Sequence, residues 1–412
     1  MAPRAVEALP GSKSAAPPLM ARQAIVDGRR RRVGYELLFR GGLDNIARID
    51  DGDQATSRVL VGSMSGMSLD QLTDGAPAFI NFTRNLLLGL DATLLPKEAI
   101  VEVLEDVRVD EALVESLKRF RQHGVRLALD DFLLTDHNKA LLPLANYIKI
   151  DVLNTPVEEV EAMLAGMRGK GSTLIAEKVE DYDMFERCKA QGFELFQGFF
   201  LHRPEVVTGV VDRPGTAAVL RLLNALSDPD ADLRELETII ASDPALGYKL
   251  LRIASSAGVA GRPVNSLQQA LQLLGLKALK SWGIVLVMAG LEDKPRELLR
   301  GLLVRARTCQ QLAWLSGDRQ ADTWFTIGLF SGLDALMDVP MESLVGALKL
   351  DEPVRLALLH HQGSAGEALT AVIAHEQGRW ASEGSGIPAQ NLAQAYTDGL
   401  AWADETLRRV YG

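Results

Sequence analysis

RLALDDFLLTDHNKALLPLANYIKID, residues 126–151, decides how the first half of the chain folds. It contains two short β-type runs, RLALDDF (126–132) and YIKID (147–151), both apolar and both carrying charge near their ends. Asp130 and Asp131 close the first, and Lys149 and Asp151 close the second. Working outward, runs of the same kind recur as VGYELLF (33–39), AFINF (78–82), AIVEVL (99–104) and TLIAEKV (173–179). Amphipathic stretches lie between them, such as EALVESLKRFRQHG (111–124), which ends in the glycine expected just past a helix. Strands alternating with helices argue for parallel strands joined by crossovers. Six or seven such units within residues 20–200 fit a compact TIM-like (β/α) barrel better than a doubly wound sheet.

The polar residues in these runs are the informative ones. Glu36 lies inside an apolar run, Asn81 near the end of the next, and Glu102 inside the third. Asp130 and Asp131, then Lys149 and Asp151, then Glu177 follow on the later runs. Ionised groups bound for a barrel core are costly unless paired or bound to metal. The carboxyl ends of barrel strands converge on one face, so these groups are expected to meet there. Glu, Asp and Asn oxygens are hard ligands suited to Mg²⁺ or Mn²⁺, and a nearby lysine can orient a water or steady a phosphate. No histidine or cysteine joins the group, which argues against zinc. Taken singly, a carboxylate at a strand end is more often a helix cap or a surface group. Buried salt bridges are a rival account of the set, Lys149 neutralising Asp130 or Asp131 and Arg40 pairing with Glu36.

The pattern changes at LHRPEVVTGVVDRPGT (201–216), where two prolines and two glycines interrupt the chain. Beyond it the signal is helical, as in DLRELETIIASDPALGYKLLRIAS (232–255) and SLQQALQLLGLKALKSWGIVLVMAG (266–290). Ser242-Asp243-Pro244 has the form of a helix start. All five tryptophans follow residue 280, which supports a second core. The expected organisation is a flexible tail over 1–19, a barrel over 20–205 and an all-helical domain over 206–412.

Hydrophobic content of 47% and charged content of 24% are those of a soluble globular chain. A net charge of −10 argues against general nucleic-acid binding. No apolar run reaches the roughly 18 residues a membrane span needs, and residues 1–20 have no continuous apolar core that would make a secretion signal. Cys188 and Cys309 stand far apart, which excludes a disulfide framework and points to a reducing cytoplasm. Arg29 to Arg32 follow Asp27-Gly28 between two β-type runs, as a solvated hairpin tip would; binding to nucleotide phosphate is the alternative.

VGYELLFR (33–40) resembles the segment that gives EAL domains their name, with Glu-Leu-Leu in place of Glu-Ala-Leu. FINF, VEVLED, LALDDF, YIKID, AEKVE and FQGFF resemble the later motifs of that family, in the same order, so the likeness spans about residues 20–200. It implies a barrel that hydrolyses cyclic di-GMP to linear pGpG with two Mg²⁺ or Mn²⁺ ions. It also implies Glu36, Asn81, Glu102, Asp130 and Asp131 as metal ligands, Lys149 assisting the attacking water, Glu177 and Gln197 completing the site, and Arg40 on a ligand phosphate. One departure bears on activity. Where members of the family continue after Asp-Asp-Phe with a Gly-Thr-Gly-Tyr-Ser-Ser type loop, this chain has Leu133-Leu134-Thr135-Asp136-His137-Asn138, without the glycines that let such a loop turn tightly.

SDPALGYKLLRIASSAG (242–258), VNSLQQALQLLGLKALKSW (264–282) and FTIGLFSGLDALMDVP (325–340) make the second half similar to HDOD domains, helical relatives of HD phosphohydrolases. An HD hydrolase needs a His-Asp pair, and here Gly332-Leu333-Asp334 has no histidine before its aspartate. His360, His361 and His375 are expected to be surface or core histidines, and this half is expected not to be an enzyme. The combination resembles bacterial EAL–HDOD signalling proteins. It implies a cytoplasmic regulator related to cyclic di-GMP, a barrel weak or inactive as a phosphodiesterase, and a helical half that binds a regulatory protein partner. The alternative is an active, Mg²⁺- or Mn²⁺-dependent phosphodiesterase, and a homodimer is left open.

Overall fold

The computed structural model describes residues 19–40, 69–135, 137–167, 169, 171–203, 223–226, 275, 278, 281, 283–288, 294–348, 350–379 and 386–411. Eight strands close into a barrel in chain order: β1 Leu19–Asp27, β2 Arg32–Arg40, β3 Ala78–Phe82, β4 Ala99–Val103, β5 Arg126–Leu129, β6 Tyr147–Asp151, β7 Thr173–Val179 and β8 Leu195–Gly198. From β2 to β8 the strands run parallel, as the alternation predicts. The first strand differs: β1 is antiparallel to both β2 and β8. It enters as one arm of a hairpin, so the ring is seven parallel strands closed by one reversed strand.

The hairpin tip is built by Asp27. Its Oδ1 accepts hydrogen bonds from the backbone N–H groups of Arg29 and Arg31 at 2.8 and 2.9 Å, and Arg30 takes a left-handed backbone with φ 61°. The arginine run is therefore a hairpin tip, with Arg29 and Arg31 exposed.

Inside the barrel the two-residue strand period sorts the side chains into layers. Ile25, Phe79, Ile100, Ala128, Ile175 and Leu195 form a buried apolar cluster that plugs the amino-terminal half of the barrel. Two residues further toward the carboxyl end on the parallel strands stand Asn81, Glu102, Asp130, Glu177 and Gln197, and on the reversed strand Gln23 takes the equivalent step from Ile25. The plug supports the polar layer from below.

The described part of the second half is helical. Its longest helices are Arg296–Ser316, Gly363–Glu376 and Ala389–Tyr411, with Ala321–Phe330 packed on the first of them. Gly328 makes that packing close, because a Cβ there would lie 2.7 Å from the Cα of Ala306. These helices cover the outer face of β1 and β2. Arg22 on β1 pairs with Asp404 at 3.2 Å, the Tyr35 hydroxyl on β2 donates to Glu297 at 2.8 Å, and His375 Nε2 lies 2.8 Å from the Met20 carbonyl. The three histidines of the second half sit as surface or core groups: His375 is buried, His361 ends a helix with φ 55°, and His360 is exposed. Ser242-Asp243-Pro244 and most of residues 242–282 lie outside the described residues.

Candidate functional site

The centre of the polar layer is Lys149, which is fully buried. Its Nζ lies 3.0 Å from Glu36, 2.8 Å from Glu102, 2.8 Å from Asp130 and 2.7 Å from Glu177. Four strands thus deliver carboxylates to an ammonium carried by a fifth. Glu36 is the most heavily bonded of them. It accepts from Gln197 at 2.6 Å and from Asn81 at 3.2 Å besides Lys149. Gln197 in turn donates to Gln23 at 2.7 Å.

Four carboxyl groups around one ammonium would carry three uncompensated negative charges if all were ionised, and burial resists that. Burial pushes the Glu102 carboxyl well above its ordinary range, with Lys149 pulling the other way and Glu36 and Asp130 adding repulsion. Burial likewise lifts Glu177 to about 8 and raises Asp130. Burial would raise Glu36 too, but Lys149 and the hydrogen bonds from Gln197 and Asn81 hold it below the usual carboxylate range. For Lys149 the four surrounding carboxylates outweigh burial, so the ammonium stays charged. Glu102 presents Oε1 to Lys149, and its Oε2 accepts no hydrogen bond among the described residues.

Asp131 goes elsewhere. β5 ends at Leu129, and Asp131 turns through a left-handed backbone with φ 40°. Its carboxylate meets Lys178 Nζ at 3.1 Å, and Lys178 bonds Asp151 at 2.6 Å. Lys178 is itself left-handed, φ 57°, where the pairing of β7 with β8 slips between Ala176 and Val179. This bulge presses on Gly198, where a Cβ would lie 2.1 Å from the Val179 carbonyl oxygen. Of the residues singled out from the sequence, Glu36, Asn81, Glu102, Asp130, Lys149, Glu177 and Gln197 are brought together, and Asp131 faces the neighbouring Lys178. Arg40 ends β2, and its side chain lies outside the described residues. Of the two pairings considered for Lys149, the one with Asp130 is present.

Two members of the site carry no signal in the sequence reading. Gln23 stands on the reversed strand opposite Glu36, and its place follows from the hairpin register. Lys178 would have been found only by recognising the bulge.

In donor chemistry the layer fits a hard divalent cation. It offers only oxygen and amide groups, with an excess of negative charge that one ammonium does not offset. Among the described residues no three His, Cys, Asp or Glu side chains stand arranged to hold a metal ion as they are, since Lys149 occupies the middle of the carboxylates. A cavity of about 580 Å³ opens beside Asp130 and Asp131, lined also by Glu105, Arg108, Leu133 and His137.

The family model for the EAL domain matches residues 43–204, and that for the HDOD domain matches residues 214–339. The chain is 32% identical over 397 residues to the uncharacterized protein YuxH of Bacillus subtilis strain 168, covering 93% of this chain and 97% of that protein. The chain belongs to the EAL–HDOD family. A second relative is the cyclic di-GMP phosphodiesterase CdgJ of Vibrio cholerae serotype O1, 31% identical over 403 residues and covering 95% of this chain and 93% of that one. Among solved structures, a standalone EAL protein of Vibrio cholerae O395 in its c-di-GMP bound form aligns over 45% of this chain and 90% of its own, with 23% identity and a TM-score of 0.36. Among the described residues no helix is long and apolar enough to cross a membrane.

Proposed function

We propose that this EAL–HDOD protein is a cytoplasmic regulator in cyclic di-GMP signalling, divided near residue 205. Its barrel binds the nucleotide with Mg²⁺ or Mn²⁺ but hydrolyses it slowly or not at all, and its helical half is a regulatory, protein-interaction module. The observation that carries the reading is the position of Asp131, held by Lys178 and turned away from the Glu36–Glu102–Asp130 group. Glu36, Asn81, Glu102 and Asp130 would hold the metal ion, which when bound supplies charge neutralisation and an acidified water next to a phosphodiester. Lys149 fixes the geometry of the carboxylates and places a positive charge where a phosphate would carry its negative one. Gln197 and Gln23 orient Glu36. The cavity beside Asp130 provides room for a ligand, with Arg108 on its wall and Arg40 at the end of β2 as phosphate contacts.

The account is tested by incubating the pure protein with cyclic di-GMP and Mn²⁺ and following pGpG by chromatography. Binding without appreciable turnover is expected. Robust turnover that disappears in Glu36→Ala would overturn it.

The second reading, an efficient phosphodiesterase, is favoured by the convergence of seven site residues and by the likeness to CdgJ along nearly the whole chain. It predicts metal-dependent turnover that is lost in Asp130→Asn.

A further inference from the structure

At the opposite end of the barrel from the polar layer, the hairpin tip and the helical half enclose a cavity of about 800 Å³. Its walls carry eight cationic side chains, Arg29 to Arg32, Lys294, Arg296, Arg300 and Arg408, against three carboxylates, Asp74, Glu297 and Asp404. Asp27 and Asp338 pair with Arg31 and Lys294 from outside the wall, and on the wall itself the cations outnumber the carboxylates. The chain as a whole carries −10, so this concentration runs against its average.

The carboxylates are shared thinly. Asp74 alone takes Arg32 at 3.3 Å, Arg300 at 3.1 Å and Arg408 at 3.1 Å. Arg29 is exposed at the tip, and the Arg296 guanidinium lies 4.4 Å from the centre of the Tyr411 ring. The 21-residue helix Arg296–Ser316 begins at this cavity, and Pro295 gives its first turn no side-chain cap. The positive end of its dipole adds to the field. Guanidinium groups prefer planar, bidentate partners such as phosphates, and the volume exceeds what a single phosphate needs.

We propose that this cavity is a second ligand site that takes a nucleoside polyphosphate. The phosphates lie against Arg29, Arg296 and the start of the Arg296–Ser316 helix, and the base stacks by the Arg296–Tyr411 plane. The ligand touches the β1–β2 hairpin, the start of one long helix and the end of another, Ala389–Tyr411. It therefore binds both halves of the chain and couples them. The site is separate from the barrel mouth, so this inference stands whether or not the barrel turns over cyclic di-GMP.

The test uses the full chain in EDTA, titrated calorimetrically with GTP, ATP and inorganic pyrophosphate. Arg29→Gln/Arg296→Gln is the diagnostic variant, because neither residue joins the Asp74–Glu297–Asp404 ion pairs that hold the halves together. Saturable binding is expected, weaker at higher salt and at least tenfold weaker in the double variant, with Glu36→Ala binding as the wild type does. Equal binding of pyrophosphate and nucleotides would remove the base from the proposal. No heat at millimolar ligand, affinity unchanged in the double variant, or loss in Glu36→Ala would overturn it. Circular dichroism of the variant guards against misfolding, and the single variant Arg29→Gln at the exposed tip repeats the test if the double variant fails to fold.

Discussion

Replacing Lys149 by methionine removes, among the described residues, the one cation in contact with a buried group of four carboxyl groups. Its Nζ stands within 2.7–3.0 Å of Glu36, Glu102, Asp130 and Glu177, and the side chain is fully buried. Breaking a buried ion pair by deleting one partner costs about 3–5 kcal/mol, because the remaining charge is left desolvated and uncompensated. Here the deletion strands Glu36, the carboxylate held ionised, so Lys149→Met is expected within that range. Against a total stability on the order of 5–15 kcal/mol, the variant would lose a large share of its reserve. Urea denaturation followed by far-ultraviolet circular dichroism, in EDTA at pH 7.5, gives the difference directly. One further variant and one added ion sharpen it. Lys149→Met/Glu36→Gln removes the carboxylate held ionised beside the lysine and should recover part of the loss, the coupling expected of groups in contact. Added Mn²⁺ should stabilise Lys149→Met more than it stabilises the wild type, by preferential binding to the folded state. A Lys149→Met protein within about 1 kcal/mol of wild type would contradict a buried ion pair here, since a solvent-exposed pair is worth no more than that.

Asp404 pairs with Arg22 on β1 and with Arg300, and Asp404→Asn should cost about 3 kcal/mol, while the losses of Arg22→Met and Asp404→Asn should sum to more than that of the double variant; strict additivity would contradict the pairing. Burial holds the His375 imidazole down at about 4, against its hydrogen bond to the Met20 carbonyl. The unfolded chain therefore binds a proton that the folded one refuses, and the associated stability, fully present above pH 6.5, falls by about 3 kcal/mol as pH drops toward 4. Denaturation midpoints at pH 7.5 and pH 5 should differ less in His375→Gln than in the wild type. Gly198→Ala should destabilise the barrel by about 2–3 kcal/mol, read from the same melts, because its Cβ would meet the Val179 carbonyl and force the bulge apart.

The site was legible to the extent that it obeys the two-residue period. Glu102 follows Ile100, Glu177 follows Ile175, and Asn81 follows Phe79 on the same inward face, so a strand recognised from its apolar residues also places its polar one. Gln197 obeys the same rule above Leu195, but β8 has four residues and too little pattern to stand out on its own. What escaped the sequence depends on backbone conformation or on distance along the chain. Asp130 and Asp131 are identical in type and adjacent, and only the left-handed turn at Asp131 sends one to Lys149 and the other to Lys178. The reversed direction of β1 is set by a tight turn around Asp27, whose effect is local, whereas the parallel rule came from the rest of the barrel. The contact of Arg22 with Asp404 spans 382 positions, and nothing in the local sequence of either residue marks it.

On the proposed function, Lys178, by holding Asp131, keeps an otherwise complete barrel site from efficient turnover. Lys178→Gly tests it most directly, since glycine accepts the left-handed backbone at that position and removes the ammonium. Cyclic di-GMP hydrolysis with Mn²⁺ should be slow in the wild type and at least about tenfold faster in Lys178→Gly, the equivalent of roughly 1.4 kcal/mol in barrier. Rapid hydrolysis by the wild type, unchanged or lowered in Lys178→Gly, would contradict it.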